Sequence, residues 1–248
     1  MTSVETLVAV MLVFFLAGTV KGVVGFGLPL VSISLLTPLY GLVDAVGLML
    51  IPAIVTNFWQ AVSGDRLAAL WRRLWTLLVP AMVFTWLAAN VLAQVDTRWF
   101  TVLLGIVIFT YSLAGLTSWQ LPEPGRREKW LSPVIGIISG VLTGLTGVAV
   151  FPFVSYLHAI RLDWQALFQV MGVWFLVASS IIAFVFARHD LLPWSIVSLG
   201  ITGVVTGLVG MVLGQMIRKR LSEQVFRQVF FAGLALVGIY VTIRALWA

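Results

Sequence analysis

Cysteine is absent and charge is scarce: only 10% of the 248 residues are Asp, Glu, Lys or Arg, and only two are histidine. Without thiols there can be no disulfide, thiolate metal site or cysteine nucleophile. His158 and His189 alone are too few for a metal cluster. No carboxylate falls inside a long apolar run; Asp44, Asp65, Asp96, Asp163 and Asp190 all stand where such runs end. That argues against an Asp- or Glu-based proton relay or cation site at membrane depth, and against a carboxylate acid/base pair. No P-loop pattern is present, which excludes direct ATP drive. The chain is therefore not expected to be an enzyme, and neither a metal nor a cofactor is expected.

Apolar residues are plentiful. They make up 61% of the chain, and mean hydropathy is +1.09, whereas a soluble domain is about a quarter charged. A spanning helix consumes roughly 20 apolar residues, so spans use up most of the chain. This is the composition of a multi-pass membrane protein, and the lipid bilayer is its first partner. The net charge of +6 sits in short loops, where the positive-inside bias explains it; no nucleic acid partner is expected. The N-terminus lacks a basic n-region and a small-residue cleavage site, so its first apolar segment should be retained.

One stretch organises the rest: Gly18-Thr19-Val20-Lys21-Gly22-Val23-Val24-Gly25-Phe26-Gly27-Leu28-Pro29. It lies in an apolar run between Glu5 and Asp44 in which Lys21 is the only charge. Gly18, Gly22 and Gly25 return at one constant offset as Gly140, Gly144 and Gly147, and Pro29 returns within one residue as Pro152. Met49 and Met171 share that offset. Two broken apolar segments at matching positions in two halves point to a transporter's binding site. The Pro-, Gly- and charge-rich residues 120–130 form the one linker-like loop. The chain thus reads as an N-terminal repeat, 1–119, and a C-terminal repeat, 131–248, with 7–8 hydrophobic segments in all.

Each half should be a broken segment plus three transmembrane helices. Residues 5–20 and 27–39 read as two helices, together too long for one straight span and too short for two. Further spans lie within 44–65, 73–96 and 98–123. The second half repeats this with a broken segment at 131–160, spans within 163–188 and 190–218, and a last one near 225–243. Placing the basic residues of 66–73, 126–129 and 218–227 on one side requires each broken segment to enter and leave on the same side. The expected fold is all-α, with re-entrant hairpins and two inverted repeats, each of three crossings. Broken helices that cross fully are the alternative.

Non-helical backbone at membrane depth must line a cavity or be buried in protein. Where a helix restarts, free N–H groups and the positive end of its dipole form an anion site without any side chain. Two such tips near mid-membrane would make one pocket. Lys21 would supply charge, with Gly22, Gly25, Phe26 and Gly27 around it; Thr143, Gly144, Thr146 and Gly147 would line the second tip. Asn57, Gln60 and Ser179 lie within spans and are candidate ligand contacts, as are Gln169 and Ser180, while Trp59 and Trp174 could wall a pocket. The same glycines also fit close small-xxx-small helix packing, Lys21 could snorkel to the interface, and the polar span residues could serve interhelical contacts. His158, at a helix end beside Arg161, reads as interfacial.

At these residues the chain resembles the TauE/SafE sulfite exporter family, also called the toluene-sulfonate uptake permeases. The resemblance is carried by Ala17-Gly18-x-x-Lys21-Gly22-x-x-Gly25-Phe26-Gly27-x-Pro29, by Ser139-Gly140-x-x-Thr143-Gly144-x-x-Gly147 with Pro152, and by the two-half plan. It departs from the family in Val148-Ala149, where the second copy often has more glycine. The resemblance implies a transporter in the bacterial inner membrane, with a small sulfur-containing anion such as sulfite, a sulfonate or sulfoacetate as substrate. A secondary transporter working by alternating access is expected, with a proton or sodium as the coupling ions the pattern admits. An anion channel on the same scaffold, and more remotely a membrane enzyme or assembly factor, are the alternatives. Oligomeric state is not specified by the sequence.

Overall fold

A computed structural model describes residues 4–218 and 222–247. Among them the chain is helical, with no strand: α1 (Val4–Val24), α2 (Leu28–Tyr40), α3 (Leu42–Val62), α4 (Leu67–Leu92), α5 (Arg98–Leu116), α6 (Glu128–Thr146), α7 (Phe153–Ala159), α8 (Trp164–Arg188), α9 (Trp194–Arg218) and α10 (Glu223–Trp247). A 3-10 turn, Gly125–Arg127, leads into α6. In lipid only a helix satisfies every backbone group within its own segment, which is why these runs take no other form. All but α2 and α7 are long and apolar enough to cross a membrane, which gives eight candidate spans. Lys219 and Arg220, used above for the charge bias, lie outside the described residues.

The order of lengths repeats: a long helix, a short one, then three long ones, in α1–α5 and again in α6–α10. Two expectations need adjusting. The first helix of each half does not stop at its early glycines. α1 runs through Gly22 to Val24, and so reaches spanning length by itself. α4 begins at Leu67 rather than near residue 73. Arg72 and Arg73 are exposed on its first turns, where long basic side chains keep their charge in water while the backbone is already helical.

Contacts divide the chain into two compact units, each drawing helices from both halves of the sequence. The first comprises Met1–Pro52, Asp96–Trp119 and Asp190–Ala248; the second comprises Ala53–Val95 and Gln120–His189. In the first unit α1 packs parallel to α9 along a ridge of glycines. A Cβ on Gly18 would lie 2.1 Å from the Gly207 carbonyl oxygen, and one on Gly214 equally close to that of Thr19. Backbones this close are how membrane helices gain van der Waals contact where lipid gives no hydrophobic drive. α5 and α10 run antiparallel: Gly105 meets Thr242, while Gly115, further along α5, meets Phe231, earlier on α10.

In the second unit α6 packs parallel to α4 through Gly136, Gly140 and Gly144, which face the carbonyls of Leu77, Ala81 and Thr85. Its charged loops gather at one end. Arg73 holds Glu128 through two hydrogen bonds of 3.1 Å and also donates to the Ile160 carbonyl at 3.2 Å. Arg66 pairs with Asp163, and Arg161 with Glu123. Glu128 opens α6 and Ile160 follows α7. The α6–α7 pair therefore leaves and returns at the same end of its unit.

Candidate substrate-binding site

The first unit holds the break between α1 and α2. Gly25 and Gly27 have φ of +91° and +104°, values that cost an L residue strain and glycine little. The Gly25 amide still donates to the Lys21 carbonyl at 2.7 Å, and Gly27 accepts from Val31 at 2.9 Å as α2 restarts. Pro29 sits in the first turn of α2, where its missing N–H costs nothing. Between these bonds the amides of Phe26 and Gly27 donate to no acceptor among the described residues, although both residues are buried. Lys21 lies in the last turn of α1 and is 3% exposed. It does not snorkel to a surface of the described structure.

The second unit holds the break between α6 and α7. Gly147 ends α6 at φ +74°, its amide bonded to the Thr143 carbonyl at 2.8 Å. Two hydroxyls then shape the loop. Thr146 Oγ1 accepts from the Val148 amide at 3.2 Å, and Thr143 Oγ1 donates to the Val148 carbonyl at 3.5 Å. The indole of Trp174, fully buried on α8, donates to the Ala149 carbonyl at 3.0 Å and stacks on Phe153. The amides of Ala149 and Val150, again buried, donate to no acceptor among the described residues. Both breaks thus end in a pair of buried donors, a rare and costly arrangement for backbone.

The remaining candidates sit within the long helices. Gly22 and Gly144 point at neighbouring helices: a Cβ on Gly22 would lie 2.3 Å from the Met211 oxygen, and one on Gly144 2.6 Å from the Thr85 oxygen. Gln60 is buried in α3 and donates to the Phe168 carbonyl at 2.9 Å. Gln169 clamps the end of α3 by donating to Ala61 and Gly64 and accepting from the Arg66 amide. Asn57 and Ser179 are buried on α3 and α8. Trp59 is 70% exposed, while Ser180 bonds its own helix at Leu176. Trp174, a candidate pocket wall, borders the second break through its bond to the Ala149 carbonyl.

A family model described as sulfite exporter TauE/SafE matches residues 10–241. The chain belongs to that family. No curated protein and no solved structure matches it. TauE/SafE is a transporter family, and eight apolar helices make this member a multi-pass membrane protein. In this TauE/SafE chain, sequence reasoning expected free amides at the second break but did not single out Ala149 and Val150, whose apolar side chains give no signal. Ser139, which opens the second motif but was not a site candidate, has a buried hydroxyl with no hydrogen-bond partner. Spacing of four and then three residues places Ser139, Thr143 and Thr146 on one face of α6.

Proposed function

We propose that this TauE/SafE member is a secondary transporter moving a small sulfur-containing oxyanion (sulfite, a sulfonate or sulfoacetate) across the bacterial inner membrane by alternating access. The observation that carries the proposal is the pair of buried, uncommitted amides in each break. Sulfonyl and sulfite oxygens are acceptors only. They satisfy such donors at the end of a helix without requiring a protein carboxylate nearby. Lys21, in the turn before the first pair, supplies the full positive charge. The returning α6–α7 pair supports a re-entrant hairpin there, and the antiparallel pairing of α5 and α10 supports inversion of the two halves.

Counterflow of labelled sulfite and sulfoacetate into liposomes tests this, with wild type beside Lys21→Ala and Lys21→Met. Loss of one charge-assisted hydrogen bond, about 1.5–3 kcal/mol, should raise the half-saturating concentration roughly 10- to 100-fold, in protein whose thermal unfolding shows it folded. Saturable exchange with unchanged affinity in both variants would remove Lys21 from the site. Flux without saturation or trans-stimulation would replace the carrier with a channel.

A further inference from the structure

The first unit contains a polar cleft, away from its own break between α1 and α2, which none of the sequence candidates lines. It is a cleft of about 470 Å³ bounded by the end of α2, the first turn of α5 and the last turns of α10. Its walls are helix ends, so it opens at the level where the spans leave the bilayer. Trp99 and Trp247, beside it in sequence and among the most exposed residues, are of the type that marks this level.

The chemistry of the lining favours an anion. Arg98 donates Nε to the Ala245 carbonyl at 3.2 Å and Nη2 to Leu246 at 2.6 Å. These bonds fix the guanidinium and leave Nη1 uncommitted among the described residues. Arg244 contributes a second guanidinium, tied only at 3.3 Å to the Tyr240 hydroxyl. Asp96, the one acid in the lining, is engaged by the Arg98 amide at 3.0 Å. α5 begins at this cleft and has no side-chain cap; the amides of Trp99 and Phe100 in its first turn bond to nothing described.

Thr37 supplies an independent observation. It lines the cleft and is 5% exposed, and its Oγ1 has no hydrogen-bond partner. The buried hydroxyls of Ser32, Thr85 and Ser112 each bond the carbonyl one turn back. Thr37 forgoes that bond where two arginines and a helix start converge. Thr97 and Thr101 add hydroxyls to the wall, and Pro38, Leu39, Leu42 and Val241 give it an apolar part.

We propose that this cleft binds the phosphate-type oxyanion head of an amphiphilic ligand, with its apolar part against Leu42 and Val241. The inference does not depend on the transport reading. An anionic phospholipid and a soluble oxyanion share this chemistry, and the test separates them. The full-length protein is placed in nanodiscs of phosphatidylcholine alone, with added phosphatidylglycerol, or with inorganic phosphate in solution. Native mass spectrometry reads bound adducts, and thermal unfolding reads stabilisation. Arg244→Gln and Thr37→Val are compared with wild type; Arg98 is left intact because it holds the end of α10. Both variants should melt as wild type does in phosphatidylcholine. Loss of a charged donor should weaken binding roughly tenfold or more. A phosphatidylglycerol adduct lost in both variants supports the site with lipid as its source. Stabilisation by phosphate alone, lost in the same variants, supports the oxyanion site with a soluble source and overturns the apolar half of the proposal. Adducts and stabilisation that do not respond to either substitution overturn the proposal.

Discussion

Trp174→Phe tests how the second break is held. The indole N–H reaches the Ala149 carbonyl at 3.0 Å, and the ring lies 4.6 Å from Phe153 at an interplanar angle of 16°. Phenylalanine keeps an aromatic face for the stack, worth about 0.5–1.5 kcal/mol, and deletes the donor. The Ala149 carbonyl is then buried without a partner, a cost of about 1–3 kcal/mol. The smaller ring also leaves a void, adding on the order of 1 kcal/mol. Together these predict a loss of roughly 2–4 kcal/mol. The consequence should be local, because Val148 is held separately by Thr143 and Thr146. What loosens is Ala149, with the free amides of Ala149 and Val150. Thermal unfolding in detergent should show the loss of stability, and liposome counterflow should show a several-fold rise in half-saturation at nearly unchanged maximal rate. Trp174→Leu removes the stack as well and should be worse in stability. A Trp174→Phe protein with wild-type melting and affinity would refute the idea that this bond positions the break.

Three further substitutions probe the frame. Gly144→Val would drive a side chain into Ala88 Cβ and the Thr85 carbonyl, both 2.6 Å from the new Cβ; it should cost at least about 1–3 kcal/mol. Gly233→Ala, with nothing within 4 Å, should leave melting unchanged or slightly raise it. Gln169→Leu preserves size but strips partners from Ala61, Gly64 and the Arg66 amide, and should lower stability by at least about 1–3 kcal/mol in the same melting assay. The Asp163 carboxyl, which caps α8, is held below its usual range first by the Ala166 amide and then by Arg66. A depressed pKa contributes stability that is present above the unfolded value and lost as pH falls through the folded one. Melting followed downward from pH near 5 should therefore fall less steeply in Asp163→Asn than in wild type, below a pH of about 4; parallel curves would exclude Asp163 as a source of the acid sensitivity.

The helices were legible because lipid leaves the backbone no alternative: runs of apolar residues between charges became spans almost where the charges put them. The break positions were half legible. Gly25, Gly27 and Gly147 do carry positive φ, but Gly18, Gly22, Gly140 and Gly144 stand inside continuous helices and serve close packing. A glycine tolerates both uses equally well, so one sequence cannot separate them; the partner helix does, by placing a carbonyl where the Cβ would be. The donors at the breaks were less legible still. They belong to backbone amides, and an amide carries no residue identity. Trp174 was noticed for its ring, while its consequential atom is the indole nitrogen, whose partner lies 25 residues away.

The glycine ridges also bear on the relation between the halves. If α1–α5 and α6–α10 are copies, α1 corresponds to α6 and α4 to α9. The α1–α9 contact then has α6–α4 as its counterpart, and both are parallel pairs built on the repeated glycines. α5 and α10 correspond to each other, so their mutual contact is its own counterpart. Copies related by rotation about the membrane normal would run α5 and α10 parallel, whereas inverted copies run them antiparallel, as found. The inverted reading gains support from a pair of helices that carries none of the motif. Under that correspondence Lys21 is matched by Thr143: the two breaks share their backbone donors, but only one carries a cation. An anion at the first break would meet a full positive charge, and one at the second would meet backbone donors and hydroxyls alone.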